Sequence, residues 1–111
     1  MQRDALLLAE IAAAGERAAS IVASRTREEV GSPGDARDAL LWNMAVIGEA
    51  VTQLSEDLRQ AHPSIPWQAP VSLRNRVIHG YWSIDMDVVY VAAVDDLPPF
   101  IARIRAVAAS L

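Results

Sequence analysis

The polar residues best suited to chemistry lie close together in one segment of the chain, residues 73–82. They are Arg74, Asn75, Arg76, His79 and Tyr81. The guanidinium fork of arginine matches the oxygens of a phosphate group, and the imidazole of histidine titrates near neutral pH and can transfer a proton. If the segment is helical, Asn75 and His79 share a face, and Gly80 ends the helix before Tyr81. The segment therefore predicts a site for phosphodiester chemistry.

The spacing Arg-x4-His is not specific by itself, and a structural interpretation stays open beside the catalytic one. In that interpretation Arg74 and Arg76 pair with acidic residues on the surface, and His79 is a hydrogen-bonded helix end. Tyr81 is likewise either an exposed hydroxyl in the turn or a ring packed on the end of the helices.

Composition excludes several other kinds of site. The chain has no cysteine, and all ten of its basic residues are arginine, so thiolate and Schiff-base chemistry are excluded. Neither histidine belongs to an HExxH or ExxH motif, and there is no glycine-rich phosphate loop, so we expect no metal and no cofactor. The net charge of −4 argues against a surface that binds nucleic acid everywhere, but it leaves room for a local arginine cluster.

The elements that must position this cluster are predicted to be helices of a single domain, residues 1–111. Apolar residues make up 52% of the chain, and their spacing is helical, with no convincing alternation of period two. No window reaches the roughly 18 uncharged apolar residues of a membrane helix, and no signal peptide is recognisable. We therefore expect a cytoplasmic protein with no membrane partner.

The hydrophobic pattern predicts an all-α fold, an up-and-down bundle of four to five helices. The predicted helices run from Arg3 to about Ser24, from a cap at Ser32 along the seam Leu40–Leu58, from about Pro70 to Gly80, from a cap at Ser83 or Asp85, and from Phe100 to Leu111. The second helix is expected to restart at Ser55. A kink is expected at Leu97-Pro98, because proline lacks the N–H that continues a helix.

Four segments, taken in order and at these separations, resemble the HepT-like branch of the HEPN superfamily, the toxin half of HEPN/MNT toxin–antitoxin pairs. They are Ile47-Gly48-Glu49-Ala50, Ile65-Pro66-Trp67, residues 74–81 with the sequence RNRVIHGY, and Asp95-Asp96-Leu97-Pro98. The resemblance covers about residues 38–104. It implies an α-helical bundle that forms a homodimer, with two Arg-x4-His motifs in one cleft.

The resemblance also implies an activity and its control. Family members are metal-independent endoribonucleases or remnants of them, so the implied substrate is RNA, either tRNA or mRNA. Arg74 and His79 match the catalytic pair, and Asn75 matches the polar residue that commonly follows the arginine. Tyr81 matches the tyrosine to which the cognate MNT-type nucleotidyltransferase antitoxin attaches AMP, which silences the toxin.

Two further expectations concern the surroundings of the motif. Glu49 lies on a mostly apolar helix and needs a partner, for which Arg74 or Arg76 is the obvious candidate. Two non-enzymatic alternatives stay open: a non-catalytic HEPN module that binds nucleotide or RNA, and a structural subunit of a nucleotidyltransferase complex. The presence of both Arg74 and His79 favours the ribonuclease.

Overall fold

A computed structural model describes residues 2–111, and no strand occurs among them. The α-helices are α1 (Gln2–Ala23), α2 (Arg27–Gly31), α3 (Asp35–Gln53), α4 (Glu56–Ala61), α5 (Gln68–His79), α6 (Met86–Val91) and α7 (Leu97–Ala109). A 3-10 turn (Tyr81–Ser83) follows α5, and a π-helical turn (Ala92–Asp96) joins α6 to α7. The predicted all-α bundle is confirmed.

Helix α3 lies at the centre of the molecule. It packs against α1 on one side and α5 on the other, and α7 packs against α1. The core combines the apolar side chains of these four helices, with Leu8, Ile11, Leu40, Leu41, Ile47, Val51 and Ile104 fully buried. Burial of such side chains is the main driving force for folding. Since α5 carries the Arg-x4-His motif, this packing fixes the position of the motif.

The start of α3 differs from its prediction. Ser32 does not cap α3, because its N–H and its hydroxyl both donate to the Glu28 carbonyl and close α2 instead. Gly34 holds the N-cap position with φ of 157°, a conformation that favours glycine, and makes no side-chain cap bond. Helix α3 then begins at Asp35. The predicted cap was wrong because Ser32 forms the C-cap of α2 and lies three residues before the first residue of α3.

The predicted restart at Ser55 is confirmed. Helix α3 ends at Gln53, and the Ser55 hydroxyl accepts a hydrogen bond from the Leu58 N–H at 3.1 Å to begin α4. The Ser55 hydroxyl and N–H also donate to the carboxylate of Asp4, at 2.6 and 2.9 Å. Asp4 is only 3% exposed, so this side chain joins α1 to the start of α4 through a buried, fully hydrogen-bonded carboxylate.

The interruption expected at Leu97-Pro98 takes the form of the π-helical turn, and helical geometry continues through Leu97. The Leu97 N–H donates to the Ala92 carbonyl, five residues earlier, in place of the α-helical partner. Pro98 and Pro99 follow at the first positions of α7, where the missing N–H groups cost little. A wider turn therefore accommodates both prolines without ending the helix.

The other predicted boundaries are close to the observed ones. Helix α5 begins at Gln68, so Pro70 lies in its first turn, where proline is tolerated. Asp85 rather than Ser83 caps α6.

Trp67 packs edge-on against Phe100, with ring centroids 6.3 Å apart. Trp42 is 68% exposed and is not part of the core. No helix of the described chain is both long enough and apolar enough to span a bilayer.

Candidate active site

The close approach of α5 to α3 depends on Gly48. A Cβ atom added at Gly48 would lie 2.3 Å from the Cβ of Arg74 and 2.4 Å from the Pro70 carbonyl oxygen. No side chain fits in that space. The absence of a side chain at Gly48 thus brings the stem of Arg74 directly onto α3, beside Glu49.

Arg74 is held by two side chains of the same chain. Its Nη2 atom lies 2.9 Å from Oε1 of Glu49, and its Nη1 atom donates to Oδ1 of Asn75 at 2.9 Å. The second carboxylate oxygen of Glu49 accepts from Gln53 at 3.0 Å. The ion pair expected between Glu49 and an arginine is present and involves Arg74. The guanidinium is therefore orientated before any ligand binds.

His79 is the last residue of α5 and is exposed. The Gly80 N–H bonds the Arg76 carbonyl at 2.9 Å and closes the helix, so the imidazole lies at the helix end. His79 follows Arg74 by five residues, which places the two side chains about 140° apart around the helix axis. Arg74 lines a cavity with Trp42 and Ile78, whereas His79 lines a different cavity. The two predicted catalytic side chains thus line different cavities of the chain.

The arginine that lines the same cavity as His79 is Arg76, not Arg74. The two side chains are one helical turn apart and line a cavity of about 330 Å³ with Ser83 and Asp85. Arg76 is exposed and makes no ion pair or side-chain hydrogen bond with any residue from 2 to 111. The sequence placed Arg76 only among the supporting residues, and its association with this cavity arises because the turn after α5 and the first turn of α6 lie beside the end of α5.

Tyr81 lies in the 3-10 turn after α5 and is 38% exposed. Its hydroxyl donates a hydrogen bond to Oδ1 of Asp38, in the first turn of α3, and the Arg37 guanidinium lies 5.6 Å from the centre of its ring. The hydrogen bond to the Asp38 carboxylate raises the pKa of the Tyr81 phenol, because it favours the protonated form. Sequence reasoning did not identify Arg37 or Asp38, since nothing in their spacing relates them to the motif.

These groups can bind an anion and transfer protons. Arginine donors suit phosphate oxygens, and an exposed imidazole can act as a base or an acid. Among residues 2–111, no group of three or more histidine and acidic side chains is arranged to hold a metal ion. The side chains gathered at this site thus offer the chemistry of arginine, histidine and tyrosine.

Comparison with known proteins identifies the same family that the sequence motifs resemble. The model of the family described as ribonuclease HepT-like matches residues 11–107. A Thermococcus cleftensis protein named "Probable ribonuclease HepT" is 32% identical over 60 residues, which is 54% of this chain and 54% of the relative. Two Methanocaldococcus jannaschii proteins, named "Putative RNase MJ0127" and "Putative RNase MJ1380", are 33% identical over 67 residues and 36% identical over 62 residues. Those matches cover 60% and 56% of this chain, and 55% and 57% of the relatives.

The matched stretches span about half the length of these curated relatives. No solved structure matches the chain. The family model, in contrast, matches almost the entire sequence, including both helices that form the site. The chain belongs to the ribonuclease HepT-like family.

Proposed function

We propose that this protein is the toxin of a HEPN/MNT-type toxin–antitoxin pair, a metal-independent endoribonuclease that acts as a homodimer in the cytoplasm. The observation that carries the proposal is the orientation of Arg74 by Glu49 and Asn75, in the same helix that ends at the exposed His79. Holding a cation in place before binding is how an enzyme stabilises charge that develops in a transition state.

A homodimer would supply the two histidines that the reaction needs, because one imidazole cannot act as base and acid in the same step. Arg74 and His79 lie about 140° apart on one helix, which favours a site to which both chains contribute groups. Trp42, Ile78 and Leu6 are 68%, 51% and 66% exposed, and Trp42 and Ile78 border the Arg74 cavity. A second copy packed on this apolar surface would place the two motifs in one cleft.

The reaction requires a base and an acid. His79 of one subunit takes the proton of a ribose 2′-hydroxyl, and the 2′ oxygen forms a bond to the adjacent phosphorus. The bond from phosphorus to the 5′ oxygen breaks, and His79 of the other subunit gives that oxygen a proton. The products are a 2′,3′-cyclic phosphate and a free 5′-hydroxyl. Arg74 binds the phosphate oxygens as negative charge develops, and Asn75 keeps Arg74 in place.

The cognate nucleotidyltransferase antitoxin acts on Tyr81. It transfers AMP from ATP to the phenolic oxygen, with release of pyrophosphate. The hydroxyl is reachable because the 3-10 turn lies at the surface, and Tyr81 is two residues from His79. An attached nucleotide would add negative charge and bulk beside the cleft, which opposes binding of RNA.

Growth arrest on induction tests the proposal, with Arg74→Ala and His79→Ala as the comparison. The wild-type chain is expected to stop growth and to cleave tRNA or mRNA in the presence of EDTA, and each variant is expected to lose both effects. Mass spectrometry of Tyr81 after co-expression with the neighbouring nucleotidyltransferase is expected to show added AMP. If purified wild-type protein binds RNA but leaves it intact, the chain is a binding module instead.

A further inference from the structure

Arg76 differs from Arg74 in having no partner. Glu49 and Asn75 engage Arg74 at 2.9 Å each, whereas Arg76 makes no ion pair within the described chain. Both side chains extend from α5, and only Arg76 lines the cavity that contains His79. An RNA phosphate that approaches His79 therefore meets the donors of Arg76 with no carboxylate to displace.

Arg76 also lies at the boundary between two adjoining cavities. The first is the cavity of about 330 Å³ with His79. The second, of about 570 Å³, is lined mainly by apolar side chains, including Met44, Ile47, Val91 and Phe100. Arg76, Leu73 and Val88 line both. The two cavities thus form one continuous surface, polar at the His79 end and apolar beyond Arg76.

We propose that Arg76 holds a phosphate of single-stranded RNA against His79 of the same chain, while the unpaired base next to that phosphate occupies the apolar cavity. The proposal rests on the ribonuclease function proposed above and adds a nucleotide-binding subsite to it. Arg76 is a binding residue here and takes no part in proton transfer.

The charges around the small cavity agree with this assignment. Its one carboxylate, Asp85, already accepts a hydrogen bond from the Asp87 N–H at 2.9 Å in its role as the cap of α6. On the rim of the large cavity, Asp87 is paired with Arg27 at 2.9 Å. A third carboxylate, Asp96, lines the large cavity and makes no ion pair with the residues from 2 to 111. Arg76 is not paired with any of the three carboxylates, and its donors lie at the point where the cavities meet.

Only an unpaired base can enter the apolar cavity. A base in a duplex is stacked and paired, and it reaches a protein cavity only when it leaves the helix, which costs a few kcal/mol. Single-stranded RNA carries no such cost, and its bases gain from contact with apolar side chains. Cavities of several hundred Å³ with a few polar groups are typical of small-ligand sites.

The test measures binding of a short RNA that cannot be cleaved because its 2′-hydroxyls are methylated. Fluorescence anisotropy with the full-length wild-type protein gives the dissociation constant for the single strand and for the same strand paired with its complement. The single strand is expected to bind at least tenfold more tightly. Equal affinity for the two forms would contradict the base-binding part of the proposal.

The role of Arg76 is tested with Arg76→Gln, Arg76→Lys and the control Arg105→Gln, which removes an arginine of α7 that lines neither cavity. Arg76→Gln is expected to weaken binding roughly tenfold or more. It is also expected to reduce the slope of log affinity against log salt by about 0.7, the value for one phosphate contact on a single strand. Arg76→Lys should keep the slope, and Arg105→Gln should change neither quantity.

Ala69→Phe, compared with Ala102→Phe, tests the large cavity. Ala69 lines the cavity and Ala102 is an exposed residue of α7 outside it, so only Ala69→Phe is expected to weaken binding of the single strand. Circular dichroism establishes that each variant is folded. Unchanged affinity in folded Arg76→Gln, or no RNA binding by the wild type, overturns the proposal. If binding depends on Arg76 but the wild type does not cleave the unmethylated form of the same RNA, this inference stands and the ribonuclease function is overturned.

Discussion

The Tyr81 hydroxyl donates a hydrogen bond to the carboxylate of Asp38, although the two residues are 43 positions apart in the chain. The bond joins the turn that follows His79 to the first turn of α3. Asp38 thereby helps to fix the backbone just beyond the end of α5. It also controls the ionisation of the hydroxyl that the antitoxin is proposed to modify.

The first prediction concerns the titration of Tyr81. Its pKa is raised by the Asp38 hydrogen bond, so the bond stabilises the folded protein at neutral pH, and this contribution is lost as the pH rises through the raised value. Asp38→Asn is expected to lower the pKa of Tyr81. Ultraviolet absorbance of the phenolate, in a Tyr90→Phe background that leaves Tyr81 as the single tyrosine, measures it. An unchanged titration curve in Asp38→Asn would contradict the assigned bond.

The second prediction concerns Glu49 as a positioning residue. Glu49→Gln is expected to lower kcat several-fold, because Arg74 loses the carboxylate that orientates its guanidinium. The free energy of unfolding should change by less than about 1 kcal/mol, since the ion pair is partly exposed. Glu16→Gln, which breaks the exposed pair with Arg105, is the control. A lower KM with unchanged kcat would mean that Glu49 competes with phosphate for Arg74.

The third prediction concerns the contact between α3 and α5. Gly48→Ala is expected to destabilise the protein by about 1–3 kcal/mol, because the added methyl group overlaps the Arg74 stem and the Pro70 carbonyl. Activity should fall with it, as Arg74 moves away from Glu49. Gly31→Ala, where the nearest atom is the Met86 Cβ at 3.9 Å, is the matched control. Urea denaturation measures both, and equal stabilities would show that α5 adjusts freely.

The fourth prediction concerns acid stability. Hydrogen bonds from the Ser55 hydroxyl and N–H lower the pKa of the buried Asp4 carboxylate, so its stabilisation is present above about pH 4 and is lost as the pH falls further. Asp4→Asn is expected to cost about 1–3 kcal/mol at pH 7. The loss should shrink at pH 3, where the wild type begins to lose the same contribution. Denaturation curves at the two pH values provide the measurement, and an equal loss at both would refute this account.

The fifth prediction concerns the dimer. Ile78→Glu introduces a charge on the exposed apolar surface beside Arg74, and it is expected to give a folded monomer with little ribonuclease activity. Val94→Glu changes a similarly exposed residue, which lies on the π-helical turn and lines no part of the Arg74 cavity, and it should remain dimeric. Light scattering after size-exclusion chromatography determines the mass. An active Ile78→Glu monomer would contradict the shared cleft.

The helices and the Glu49–Arg74 pair could be predicted from the sequence. Each follows from a rule about the residue types within one segment of the chain. Apolar spacing identified the helices, and a carboxylate on an apolar helix required a cation. The Ser55 cap was predictable for the same reason, since its partner Leu58 is three residues away. The roles of Arg74, His79 and Tyr81 came from the family resemblance and stay predictions.

The remaining features depend on tertiary packing that no local pattern encodes. The contact of Tyr81 with Asp38 and Arg37 exists only because the turn after α5 lies beside the start of α3. The cavity shared by Arg76 and His79 likewise exists only because Ser83, Asp85 and Val88, which follow α5, lie beside the end of that helix. The incorrect cap at Ser32 is a different case, because the contact that replaces it is itself local: the Ser32 N–H and hydroxyl donate to the Glu28 carbonyl, four residues earlier.

The π-helical turn before Leu97 takes up one extra residue of chain. It holds one residue more than an α-helical turn would, so it is equivalent to a single-residue insertion in an otherwise continuous helix. Because the wider turn absorbs that residue, deletion of one residue between 92 and 96 is expected to restore α-helical geometry and to leave Phe100, Ile101 and Ile104 facing the core. The same deletion in the regular part of α7, which holds no extra residue, would instead rotate the residues that follow by about 100°.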